Sequence, residues 1–144
     1  MNRIAKPLTL VLILAAGIAV AKPGVKDPGV KLRMETMDRM ALNLKMLGQM
    51  SKGLMDFNVD DATAAKASIV AAAKDIPTVF KVHHTDPASD ALPAIWTNWD
   101  DFAKKAAAAR MAAELIDTST QDGIQMSLGQ IATACKACHT TYRR

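Results

Sequence analysis

The run Cys135-Lys136-Ala137-Cys138-His139, ending five residues before the C-terminal Arg144, constrains this chain more than any other feature. Two thiols three positions apart, with a histidine directly after the second, form the C-x-x-C-H signature by which c-type haem is attached. The spacing follows from the chemistry. Two thiols must reach two vinyl groups on one porphyrin edge, and an imidazole beside the second must reach the iron. On a helix, positions i, i+3 and i+4 share a face, so Cys135, Cys138 and His139 can all address one flat ligand. The fold must then supply a helix at the end of the chain and a slot beside it.

Other readings of C-x-x-C fit less well. A thioredoxin-like redox pair expects a strand before the motif, and no strand-like run precedes it. A zinc site needs further ligands, yet the only other histidines are His83 and His84, and the chain has no third cysteine. A structural disulfide leaves His139 unexplained. His83 and His84 lie in a polar stretch and are expected to be solvated rather than ligating.

The amino terminus agrees with export. Arg3 and Lys6 form a basic n-region, Leu8 to Val20 is apolar, and Ala19-Val20-Ala21 offers a small-x-small cleavage site, so residues 1–21 are expected to be a secretory signal peptide. The apolar run falls short of the ~20 residues a spanning helix needs; an uncleaved anchor is the alternative. The mature domain is then 22–144, with no stable membrane insertion and a periplasmic location. The two cysteines serve as haem anchors rather than a disulfide framework. Loss of Arg3 and Lys6 lowers the formal net charge from +4 to +2. The remaining lysines are scattered, so nothing points to nucleic acid.

Abundant Ala, Met, Leu and Lys with 4% aromatic residues indicate an all-α chain. Four helices are expected. The first spans about 28–52, with Asp27 as cap and Gly53 as stop. The second spans about 61–80, with Asn58 or Asp60 near its cap and an end or kink near Ile76 imposed by Pro77. A polar connection over 81–92 leads to a third helix from Pro93 to about Ile116. The fourth runs from near Ser119, where Ser119-x-x-Asp122 resembles a capping box, to about Tyr142. Long amphipathic segments with short links argue an antiparallel four-helix bundle, here one enclosing a covalently bound haem c.

At about 100° per residue, Ile124, Leu128, Ile131, Ala132, Cys135, Cys138, His139 and Tyr142 form one stripe on the fourth helix. The haem is thereby fixed to a core-facing surface. The first helix carries Met34, Met37 and Met40 on one side, with Val30, Ala41, Leu44 and Gly48 between them and Arg33 nearby. Methionine stripes ordinarily fill cores, but beside a c-type haem a thioether is a common second axial ligand. Met37 is central and is the candidate, with Met34 and Met40 behind it; the expected metal ligands are His139 and Met37. Leu42, Met46 and Met50 make a second apolar face, expected to pack between neighbouring helices, with a partner chain as the other reading. On the third helix Ile95, Trp99, Phe102, Ala106, Ala109 and Ala113 form a core stripe, and the alanines at 106–109 permit close approach to a neighbour or to the porphyrin.

Three patches resemble the class II cytochromes c, that is, cytochrome c′ and its low-spin relatives. Cys135-x-x-Cys138-His139-x-x-Tyr142-Arg143 is similar to the family's C-terminal haem site. Pro93-x-Ile95-Trp96, with Phe102 six positions later, is similar to its third-helix opening, and Arg33-x-x-x-Met37 to its distal helix. The resemblance spans nearly all of the mature chain and implies a left-handed bundle around one haem, often a homodimer through the first two helices. It implies two subtypes: a five-coordinate form that binds nitric oxide or carbon monoxide, and a low-spin form in which a first-helix methionine ligates iron for electron transfer. Met34 stands where cytochrome c′ commonly has a glutamine near the propionates, and the run from Met37 to Gly53 is closer to the low-spin relatives. The expected function is one-electron transfer with redox partner proteins. The alternative is binding of small diatomic gases. No acid–base pair or nucleophile suggests an enzyme. Arg33 is the expected propionate partner, and Arg143, four residues beyond His139, is placed to influence the proximal side.

Overall fold

A computed structural model describes residues 24–144; the expected signal segment, 1–21, lies outside the described residues. The chain forms α1 (Pro28–Ser51), α2 (Val59–Val79), a short α3 (Ala94–Thr97), α4 (Trp99–Glu114) and α5 (Gln121–Tyr142). Packing of α1 on α2, α2 on α4, α4 on α5 and α5 on α1 closes an antiparallel four-helix bundle. Among the described residues there is no strand, only an isolated bridge between Ala91 and Arg143.

Local chemistry sets most helix ends. The Asp27 carboxylate caps α1 by accepting from the Val30 N–H at 2.9 Å. Gly53, at φ 67°, takes the left-handed conformation that ends α1 and turns the chain. Asn58 caps α2, accepting from the Asp60 and Asp61 N–H groups, so this helix begins two residues earlier than expected. Pro77 does not stop it. The helix runs on to Val79, because a proline this near the C-terminal end removes only one of the last hydrogen bonds.

Two expectations fail here. The third helix is not continuous from Pro93: Asn98, at φ −130° and ψ 50°, divides α3 from α4, in keeping with the weak helix preference of asparagine. The cap of α5 is Thr120, accepting from the Gly123 N–H at 2.9 Å, while the Ser119 hydroxyl turns back to Asp117. Ser119 therefore forms no capping box.

The bundle has two unlike ends. At the end holding the α1–α2 and α4–α5 turns, Leu47, Met50, Ile116, Ile124 and Ile131 are buried in one cluster with Ala62, Ala65 and Ile69 of α2. At the other end, α1 begins, α5 finishes and the 81–92 loop crosses. Of the second face of α1, Met50 is buried and Met46 is partly packed; Leu42 stays 51% exposed, so neighbouring helices cover this face only in part. Ala132, expected in the core stripe of α5, faces outward.

Candidate haem site

A cavity of about 460 Å³ opens at the end of the bundle where α5 finishes, within the usual range for small-molecule sites. One wall is α5, with Cys135, Cys138, His139 and Tyr142. α1 gives Met34, Met37, Met40, Ala41 and Leu44, and α4 gives Phe102, Lys105, Ala106 and Ala109. Ile76 and Phe80 of α2 and the small residues Ala88 to Ala91 of the loop complete it. The walls are mainly apolar. The motif triad and the methionine stripe, 95 or more positions apart in sequence, line the same cavity. Met40 is nearly buried, while Met34 and Met37 are half-buried.

The electrostatics suit haem attachment better than thiol redox chemistry. Burial pushes both the Cys135 and Cys138 thiols above their ordinary value, whereas redox-active C-x-x-C pairs depend on a lowered thiol. Burial, with the Arg143 cation beside it, pulls His139 below its ordinary value. That favours the neutral imidazole, the form that ligates a metal. Among the described residues no cluster of three or more His, Cys, Asp or Glu side chains is arranged to hold a bare metal ion. The donor set is one imidazole with thioethers, beside two thiols and an apolar slot. It fits an iron porphyrin.

Arg33 is only 3% exposed and is built into the loop rather than solvated. Its Nε donates to the Val79 carbonyl at 3.2 Å, Nη1 to His84 at 3.0 Å and Nη2 to Val82 at 2.5 Å. The guanidinium also lies over the rings of Phe80 and Trp96, at 5.1 and 4.9 Å. These bonds use three of its five N–H donors, and the side chain still reaches the cavity wall. Arg143 pairs with Asp90 at 3.6 Å.

The two loop histidines depart from a purely solvated role. The His84 Nδ1 lies 3.2 Å from the Asp27 carboxylate, and its ring packs so closely on α1 that a Cβ at Gly29 would sit 2.3 Å from it. His83 is exposed but stacks on Trp96 at 3.9 Å. The same loop reaches α5: the Leu92 N–H donates to the Tyr142 carbonyl and the Arg144 N–H to that of Asp90. It thus straps the start of α1 to the end of α5.

The sequence reading missed Ile76, Phe80 and Lys105 as cavity residues. The pair Asp101-x-x-x-Lys105 is legible as an i,i+4 ion pair, and the bond lengths of 2.6–2.7 Å bear that out. Its tie to Tyr142 depends on the packing of α4 against α5 and left no local signal.

An antiparallel bundle with a C-x-x-C-H helix lining an apolar cavity defines a monohaem c-type cytochrome of the class II architecture. The family model described as cytochrome c′ matches residues 29–143, and the chain belongs to that family, whose members carry haem c. It is 32% identical over 117 residues to cytochrome c-556 of Agrobacterium tumefaciens (strain B2A), covering 79% of this chain and 95% of that one. Against cytochrome c-554 of Cereibacter sphaeroides it is 38% identical over 118 residues, 75% of each chain. The solved cytochrome c′ of Rhodobacter sphaeroides superposes with a TM-score of 0.72 at 25% identity, covering 80% of this chain and 94% of that one.

Proposed function

We propose that this protein carries single electrons in the periplasm, with thioether bonds at Cys135 and Cys138, His139 as proximal ligand and Met37 as the sixth ligand. The observation that carries this reading is that Met34, Met37 and Met40 of α1 line the same cavity as His139 of α5. When bound, the haem supplies an iron that cycles between ferric and ferrous. The chain's own residues would hold it and offer a thioether, a ligand that favours ferrous iron and raises the potential. The matching relatives include proteins named cytochrome c-556 and c-554 beside others named cytochrome c′, and the low-spin reading rests on the methionine stripe. We read the protein as a carrier rather than an enzyme, its cavity walls among the described residues being mainly apolar. Two N–H groups of Arg33 remain for a propionate carboxylate. Of the second apolar face, Leu42 stays exposed and Met46 partly so, which leaves these two for a homodimer contact.

The test is the absorption spectrum of the ferric holoprotein. A methionine–iron bond gives a weak far-red charge-transfer band, which should be present and should vanish in Met37→Ala. Persistence in that variant with loss in Met34→Ala or Met40→Ala moves the ligand along the stripe. A high-spin ferric spectrum at neutral pH removes the methionine assignment altogether.

The second reading is gas binding. Nitric oxide complexes are described for variants of cytochrome c′ of Alcaligenes xylosoxidans, and a diatomic would have the α1 wall of this cavity to enter against if no thioether is bound. Carbon monoxide titration of the ferrous protein separates the readings: rapid tight binding favours the gas reading, slow binding that displaces a ligand favours electron transfer.

A further inference from the structure

We infer that Lys105, Asp101 and Tyr142 form a charge-compensated clamp that positions the haem-bearing turn of α5 and sets the iron's reduction potential, a role that rests on the electron-transfer reading. Tyr142 lies one turn beyond Cys138 and His139 and is 3% exposed. Its hydroxyl donates to the Asp101 carboxylate at 2.6 Å and approaches the Asn98 carbonyl at 3.3 Å. Lys105 donates to both oxygens of the same carboxylate, at 2.7 and 2.6 Å. The Phe102 ring meets the Tyr142 ring edge-on at 5.4 Å, and the Lys105 ammonium lies 6.0 Å from that ring's centre. Tyr142 and Lys105 line the haem cavity, while Asp101 sits behind and holds both. The last turn of α5 is therefore fixed to the first turns of α4 by polar bonds as well as packing.

The charges of the clamp act at the porphyrin's attachment edge. Lys105 lines the haem cavity together with Cys138 and His139, and Asp101 is held against the Lys105 ammonium at 2.6–2.7 Å, so both charges stand beside that edge. Ferric haem carries one more positive charge than ferrous haem. An uncompensated anion nearby favours the ferric state and lowers the potential, and an uncompensated cation raises it. In the intact clamp the two largely cancel at the iron, and the tyrosine hydroxyl holds the carboxylate in place.

Spectroelectrochemical titration of the intact holoprotein tests this. Lys105→Met should lower the potential and Asp101→Asn should raise it, each changing the ferric-to-ferrous ratio in a fixed redox buffer at least about twofold. The double variant should return near the unmutated value. Lys105→Arg, which keeps the charge, should leave the potential in place. Tyr142→Phe should act in the direction of Lys105→Met, because the carboxylate loses a hydrogen bond. Shifts of the same sign in the two single variants, or no return in the double, would overturn the proposal. If Asp101→Asn does not accumulate as holoprotein, the lysine variants decide: equal potentials for Met and Arg overturn the proposal, and a fall for Met alone supports it. The far-red band, read on the same samples, reports separately on methionine ligation.

Discussion

At the residue scale, the clamp also makes a statement about pH. Burial and the neighbouring Asp101 carboxylate push the Tyr142 phenol up to about 12 from its ordinary 10.0. Its contribution to stability is complete below pH 10 and is lost as pH rises toward 12. Asp101 is held below its ordinary 3.8, chiefly by Lys105 and then by Tyr142. Its contribution is complete above that value and is lost as pH falls through the lowered one. Thermal unfolding across pH should show Tyr142→Phe losing the alkaline dependence and, through the freed carboxylate, weakening the acid one. A variant with the pH profile of the unmutated protein at both limbs would remove the coupling. The haem triad was legible in the sequence because C-x-x-C-H is a local pattern whose spacing the ligand dictates. The surroundings of Tyr142 were not, since its partners lie 41 and 44 positions away and no periodicity encodes them.

The strap is a matter of elements. Arg33, Asp27 and Asp86 tie the 81–92 loop to the start of α1, Asp86 by accepting from the Lys26 and Asp27 N–H groups at 2.8 and 3.1 Å. Arg33→Leu would leave the carbonyls of Val79, Val82 and His84 short of a donor, and stability should fall by about 2 kcal/mol or more, measured by denaturant unfolding of the holoprotein. The same variant tests the propionate proposal: an unchanged reduction potential beside that loss of stability assigns Arg33 to the strap alone. Gly29→Ala should expel the His84 ring and cost about 1–2 kcal/mol; an unaltered midpoint would mean the ring moves aside freely. Helix periodicity and caps made α1, α2 and the core stripe of α4 readable. The clasp around Arg33 was not, because the guanidinium answers to carbonyls 46 to 51 positions away, and the break at Asn98 was not, because a weak helix preference alone does not fix where a helix divides.

On the scale of the whole molecule, charge is graded along the bundle. The segments 24–38, 81–105 and 133–144, which gather at the haem end, carry nine basic and seven acidic side chains; 45–66 and 110–126, at the far end, carry four basic and six acidic. Many acids at the haem end are engaged internally: Asp27 with Val30 and His84, Asp86 with backbone N–H groups, Asp90 with Arg143, and Asp101 with Lys105 and Tyr142. Lys104 and Lys136 hold no ion pair among the described residues and point the local field outward. An electron carrier with this polarity should turn its haem end toward anionic partners, with rates that fall as salt screens the attraction. Oxidation of the ferrous holoprotein by ferricyanide, one electron passing from the iron to the anion, provides the measurement. The rate should decline with ionic strength, and Lys136→Glu should slow it severalfold at low salt. Lys52→Glu changes the net charge identically but at the far end, and should leave the rate nearly untouched. Haem charge enters both variants equally, so the comparison isolates where the protein's own cations stand. Equal slowing in the two variants would mean that ferricyanide senses only net charge and that the haem end is not a preferred face.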